Sequence, residues 1–373
     1  ELPITIEANA LWQELATVTN VDIGLTQGGV TYLAESDADM ERYAAWLTHA
    51  ETHGVAASLL SRTEAEALIP GMSRRYRGAM HTRTDMRAEP WVAVPALAGI
   101  AARAGATIVE HCAVRALDIA AGRVAGVVTE QGRIAASEVV LAGGAWSALF
   151  LRRHGVVLPQ LSVRATVAAL DAAPMAYAGG AADRRIAFRP RADGGYSVAA
   201  GGFHELFVGP DAFRALPKFL TQLRADPFGT RFLPVAPRGF PDGWGTPRHW
   251  SEDEASPFEA QRVLNPKPNM GKVRKLQAEF GALFPALGAP RVKAAWAGMI
   301  DTMPDVVPVI DRVPTVPGLT VGTGMSGHGF GIGPGGGRVL SALVMGRDPG
   351  HDLGRFRFDR FSDGTPMRLG PAL

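Results

Sequence analysis

The stretch Gly322 to Gly337, GTGMSGHGFGIGPGGG, constrains this chain more than any other. A short apolar run, Gly318-Leu319-Thr320-Val321, precedes it, and Val339 to Met345 follows with helical spacing. The pattern predicts a strand, a glycine turn and a helix. Glycine lets backbone approach a ligand with no Cβ in the way. The N-terminus of the next helix offers free N–H groups and a partial positive charge. Gly322, Gly324 and Gly327 satisfy G-x-G-x-x-G. The usual dinucleotide form of that motif also needs a βαβ unit and an acidic residue about 20 residues on. Here the chain runs instead into Gly346-Arg347-Asp348-Pro349-Gly350 and an Arg/Phe-rich tail, with no second strand. The motif taken alone is a weak signal, since some such matches are only tight turns. The further glycines at 329, 331, 333, 335, 336 and 337 predict a broad, flat ligand lying on backbone.

A length of 373 residues allows two domains, each with its own core. The net charge of +2, with both signs mixed along the chain, gives no basic block and excludes a nucleic-acid binder. Cys112 is the only cysteine, which excludes an internal disulfide and a cysteine metal cluster. It fits a reducing compartment, hence the cytoplasm. His111 and Cys112 are adjacent with no further ligands near them, which argues against a metal. The longest apolar stretch, Val139 to Leu151, is too short and too glycine-rich to span a bilayer. No signal-peptide pattern is present. Glu1-Leu2-Pro3 opens directly into an amphipathic pattern, so the chain is expected to begin in mid-fold.

Periodicity predicts helices at 4–19, 37–50, 62–68, 93–103 and 273–284. Strands are expected at 31–34, 107–110, 114–118, 123–129 and 138–142, the third and fourth forming a hairpin. The run VVLA at 139–142 suits a buried central strand. From about 156 the texture changes: 163–170 and 186–203 alternate apolar and polar residues, the second around the turn Arg191-Ala192-Asp193-Gly194-Gly195. This is antiparallel sheet. Residues 225–268 read as long surface loops, and 291–298 as a strand leading to the glycine stretch. The fold class is therefore α/β, with an α+β second domain.

Several pieces together resemble the FAD-dependent oxidoreductases of the D-amino-acid oxidase, glycine oxidase and sarcosine oxidase superfamily. They are Glu89-Pro90, Val139 to Ser147, Trp296-Ala297-Gly298, Pro304-Asp305, Pro308-Val309-Ile310, Ser326 to Phe330 and the tail Arg360 to Gly364. Their order and spacing match over nearly the whole chain. The resemblance implies an FAD-binding domain from 1–24, 88–155 and 291–345, interleaved with a substrate domain from 25–87 and 156–290, and a tail at 346–373. The family's opening βαβ unit is missing. A fragment, or a second polypeptide that completes the FAD site, is therefore expected.

The resemblance also implies the site. Val114 would touch adenine through its backbone. Ala142, Gly143, Gly144 and Trp146 would meet the pyrophosphate and ribitol. Gly324, Ser326, Gly327, His328, Gly329, Phe330, Gly331 and Ile332 would follow the pyrimidine edge of the flavin, with Met299, Ile300, Asp301 and Thr302 on its face. His328 is a candidate catalytic contact, or else a turn residue. Sarcosine oxidases attach FAD through a cysteine near Gly298; with Cys112 alone, FAD is expected to be non-covalent. The family's carboxylate anchors are replaced by Ile300 and Gly331, leaving Arg189, Arg191 or Arg164 to rebuild the clamp. Asp301 would favour a cationic amine, or cap a turn. The implied reaction is oxidation of the C–N bond of an amine or amino acid by hydride transfer to flavin, followed by imine hydrolysis. Alternatives are a non-catalytic subunit of a flavoprotein assembly and a flavoenzyme acting on a hydroxy acid. Peripheral association with a respiratory membrane is compatible with either class.

Overall fold

The computed structural model describes residues 1–202, 204–227, 229–288 and 290–370. The chain opens with α1 (Leu2–Val18), β1 (Thr26–Gln27), β2 (Val30–Ala34), α2 (Asp37–Thr52), β3 (Ala57–Ser61), α3 (Arg62–Leu68), β4 (Gly78–Thr82), β5 (Met86–Arg87) and α4 (Pro90–Arg103). Next come β6 (Val114–Ala120), β7 (Arg123–Thr129), β8 (Gly132–Ala135), β9 (Val139–Leu141) and α5 (Ser147–Arg153). The middle holds β10 (Leu161–Leu170), β11 (Gly180–Ala182), β12 (Ala187–Pro190), β13 (Tyr196–Ala199), β14 (His204–Phe207), α6 (Pro210–Ala225), β15 (Thr230–Leu233), α7 (Pro257–Ala260) and α8 (Met270–Leu283). The chain then forms β16 (Val292–Thr302), β17 (Val309–Arg312), β18 (Leu319–Thr323) and α9 (Gly329–Val344). Local signals set many of these limits. Ser36 and Asp39 form a capping box at α2, Ser61 and Glu64 another at α3, and α4 starts on Pro90.

Two sheets organise the site. The larger has ten strands, in the order β15-β14-β10-β13-β12-β11-β2-β4-β3, with β16 along the free side of β10. Ten residues of β10 are in register with β16, from Leu161↔Thr302 to Leu170↔Val292. Segment 291–302, expected with the cofactor-binding part, thus belongs to the large sheet. Helix α8 covers one face of it, burying Tyr196, Phe280 and Phe284. The smaller sheet has the order β17-β18-β9. A separate antiparallel layer holds β6, β7 and β8, one strand more than the expected hairpin.

Several expectations are corrected. Residues 107–110 form no strand, and Ile108 and Val109 are about half exposed. A strand needs a neighbour, and none of the described residues pairs with this stretch. Strand β9 is an edge rather than a central strand, with Val140 42% exposed, because β18 is its only partner among the described residues. The middle region contains a full helix, α6, where no element was expected. Residues 225–268 are mainly loop but carry β15 and α7. The tail is packed: Phe356 and Phe361 are buried, and Arg360 forms a buried ion pair with Asp305 at 2.8 and 3.0 Å. Phe203 and the last three residues of the expected tail lie outside the described residues. None of the helices described is long and apolar enough to cross a membrane.

Candidate cofactor and active site

Strands β9 and β18 run parallel, Val139↔Leu319 to Leu141↔Val321. Two glycine turns leave their C-terminal ends, where open α/β sheets place ligands. After β9, Gly144 takes a left-handed φ of +53°, and a Cβ there would meet nothing. After β18, Gly324, Ser326 and Gly327 are all left-handed. A Cβ on Gly324 would lie 2.3 Å from the Met303 side chain, so only glycine fits. Ser326 is a non-glycine residue in this region, which carries a conformational cost. Its hydroxyl offsets part of that cost by donating to the Gly324 carbonyl at 3.1 Å and accepting from the Met303 N–H at 3.3 Å.

Helix α9 starts at Gly329. No side chain caps it and no acidic residue occupies its first turn, so its positive end stays uncompensated. The helix glycines divide into two sets. A Cβ on Gly335 would lie 2.5 Å from the Ile4 carbonyl, so this glycine permits close packing of α1. Gly331, Gly333 and Gly337 face open space. Gly298 on β16 also faces open space, and the Ile300 side chain comes within 3.9 Å of where a Cβ on Gly327 would lie.

A buried polar knot holds the two turns and β16 together. The Oδ2 of Asp301 accepts from the Gly324 N–H at 2.6 Å, the Met325 N–H at 3.3 Å, the Thr323 hydroxyl at 3.2 Å and the Gln160 amide at 3.3 Å. Gln160 also donates to the Gly144 carbonyl and to Thr323, both at 3.0 Å. Thr323 and Ser147 share a hydrogen bond of 2.9 Å. Burial raises the Asp301 pKa above the ordinary carboxylate value, against the pull of the Gly324 and Met325 N–H groups.

The result is a bare, backbone-lined floor beside an uncapped helix terminus. Residues 1–343 match the family model described as FAD dependent oxidoreductase (DAO). The chain belongs to this family. It is 26% identical to the sarcosine oxidase subunit beta of Rhizobium meliloti, covering 95% of this chain and 73% of that one. Identity to the glycine oxidase of Pseudomonas aeruginosa is also 26%, over 91% of this chain and 77% of that one. The structure of L-amino acid deaminase from Proteus myxofaciens, in complex with anthranilate, superposes with a TM-score of 0.89 at 28% identity, covering 96% and 80% of the two chains.

As a DAO-family member the chain is an FAD-dependent oxidoreductase. Its residues fit a flavin: open glycines give a planar group room, and the α9 terminus suits negative charge. The fold brings Gly143, Gly144, Gly324, Ser326, Gly327, Gly329, Gly331 and Ile300 to one region. Other expected contacts lie elsewhere or are engaged. Met299 points away from Ile300, as strand alternation requires, and packs with Phe207, Ala236 and Phe240. Phe330 lies against Trp12, ring centres 4.8 Å apart, and Ile332 is buried among Ile4, Ile310 and Val339. Trp146 meets Phe258 edge-on at 5.3 Å. Val114 opens β6 opposite Thr129, and Ala142 is exposed after β9. His328 is exposed, its Nδ1 3.1 Å from the Met325 carbonyl, as a turn residue would be.

The three arginines expected to rebuild a carboxylate clamp are each engaged. Arg164 pairs with buried Glu205, Arg191 with Asp193 and Arg189 with Glu89. Arg189 does share the Ile300 face of the sheet, through Ser197 and Ala169 in register. Sequence analysis missed Gln160, Ser147 and Thr323. Gln160 belongs to no motif, and nothing local marks a glutamine that bonds to residues up to 163 positions away.

Proposed function

We propose that the chain seats FAD on the two glycine turns and oxidises the C–N bond of an amine or amino acid. The observation that carries this reading is the uncapped α9 N-terminus beside open glycines, adjoining Ile300 on the large sheet. Bound FAD supplies the acceptor for the hydride of the carbon next to nitrogen. Gly143, Gly144 and the turn Gly324 to Gly327 would hold the cofactor through backbone. The α9 terminus would place partial positive charge against negative charge developing on it. Asp301 acts as a positioning residue that fixes the turn. We assign no substrate carboxylate anchor to Arg189 while Glu89 pairs with it. The test is the visible spectrum of the purified protein with FAD, then anaerobic bleaching on adding amines and amino acids. Flavin that binds but is bleached by hydroxy acids alone would overturn the C–N assignment.

The cofactor is held non-covalently on this reading, since Cys112 lies in the loop before β6, in a different sheet. Acid precipitation should release all the yellow colour into the supernatant.

The open side of β9 supports a further element of the proposal. Val140 on this edge and Ile108 and Val109 in the unpaired stretch 107–110 are exposed, although β-branched residues suit a buried parallel strand. A βαβ unit, preceding this chain or carried by a second polypeptide, would cover them and complete the nucleotide site. One relative is itself named as a subunit. The native mass of the protein from its source tests this; FAD bound tightly by residues 1–373 alone would refute it.

A further inference from the structure

A cavity of about 300 Å³ lies between α6 and the large sheet. Its floor includes Leu161 and Val163 of β10 and their register partners Thr302 and Ile300 of β16. Its roof is one face of α6, where Ala212, Leu216, Phe219 and Leu223 recur at helical spacing. One end opens on Ile300 and Ser326, which belong to the cofactor region described above. The other end stops at His204, Gln222 and Asp226. Between these ends the lining is apolar apart from the Thr302 and Thr230 hydroxyls, so a charged group placed there would lose its hydration without a charged partner.

The volume is about twice that of a cavity able to take up benzene (~150 Å³). Residues that could close the gap are present, since Phe219 and Leu206 are already buried beside it. An apolar space left open and joined to a cofactor site is the usual form of a ligand pocket.

We propose that this cavity receives the side chain of the substrate, which is therefore an amine or amino acid bearing a bulky apolar group, aromatic or branched aliphatic. This rests on the C–N reading above and specifies its substrate class. Glycine and sarcosine would leave the cavity empty.

The test uses the FAD-loaded protein under anaerobic conditions. Flavin bleaching is followed with glycine, sarcosine, both enantiomers of alanine, leucine and phenylalanine, and phenethylamine. A bulky apolar compound should exceed glycine and sarcosine in kcat/KM by about tenfold or more. Ala212→Phe in the roof and Val163→Phe in the floor fill the space, and each should shrink that ratio by a similar factor. Equal or better turnover of glycine or sarcosine would overturn the proposal, as would an unchanged ratio in both folded variants.

If no compound bleaches the flavin, the C–N reading fails by itself. The cavity is then judged on binding alone: phenylacetate should perturb the flavin spectrum of the wild-type protein at lower concentration than acetate, and the filled variants should abolish the difference. No preference for phenylacetate would refute the assignment. If both variants unfold, the wild-type comparison of phenylacetate with acetate decides.

Discussion

The two sheets each bury an apolar cluster but differ in what is added to it. The ten-stranded sheet is covered on one face by α8, and its largest core cluster is dense with apolar side chains, Tyr196, Phe280 and Phe284 among them. In the small sheet β18 is buried throughout, but its neighbour β9 has an open edge. Beside the apolar cluster around Val309, Leu319 and Val321, directed polar contacts pin this region: the Asp305–Arg360 pair, and Asp301 with Gln160 and Thr323. Apolar burial tolerates small shifts of geometry, whereas a hydrogen bond weakens steeply when misaligned. A framework pinned by hydrogen bonds suits a site that must hold a rigid cofactor.

The strongest way to break this comparison is to remove a pin. Asp305→Ala leaves the Arg360 guanidinium buried and unpaired, and should destabilise the protein by about 3–5 kcal/mol in chemical denaturation. A loss below about 1 kcal/mol would mean that the apolar cluster alone holds the small sheet.

A pair of alanine substitutions on α9 separates packing glycines from open ones. Gly335→Ala should cost about 1–3 kcal/mol, because its Cβ would press on the Ile4 carbonyl. Gly333→Ala meets open space, and should stabilise the helix by up to about 1 kcal/mol. Equal urea midpoints for the two variants would contradict the division.

Asp301→Ala strips the Gly324 and Met325 N–H groups of their acceptor and should cost about 1–3 kcal/mol. It should also weaken FAD binding, measured by flavin titration, while KM at saturating FAD moves little. The opposite outcome, intact FAD binding with a raised KM for a cationic amine in Asp301→Asn, would transfer Asp301 to the substrate.

The remaining effect concerns pH. His154 accepts from the Leu117 N–H through Nε2 at 3.0 Å, and burial, helped by Arg153, lowers its pKa to about 4. The unfolded chain takes up that proton near pH 6.5, the folded protein only near 4. Stability should therefore fall as pH drops through this window. His154→Gln keeps an acceptor without the titration, so its stability should fall less between those pH values. Parallel curves for the two proteins would sink the assignment.

Much of the fold was legible because its elements carry their own signals. Helices α2 and α3 announce themselves through capping boxes, and β12 and β13 through alternation around a hairpin turn. Helix α6 was missed although its apolar residues recur at helical spacing. The stretch 107–110 and strand β9 were misjudged for a different reason: pairing depends on a neighbouring strand, and no local pattern encodes a neighbour. In the site, glycines stood out while the polar knot did not. Met299 and Ile300 were placed together from the family pattern, and strand alternation sends them to opposite faces.

Among the contacts that helix α1 makes along α9, two hold its backbone directly. Trp12 donates its indole N–H to the Gly331 carbonyl at 3.1 Å, and Ile4 lies against the bare backbone of Gly335. Two fixed points four residues apart leave a helix no freedom to roll about its own axis, since each residue of slippage would turn it by about 100°. The bearing of the α9 terminus is thus set by the first helix of the chain during folding. A ligand arriving there meets an axis already locked, and the entropy of aiming it falls on folding instead of on capture.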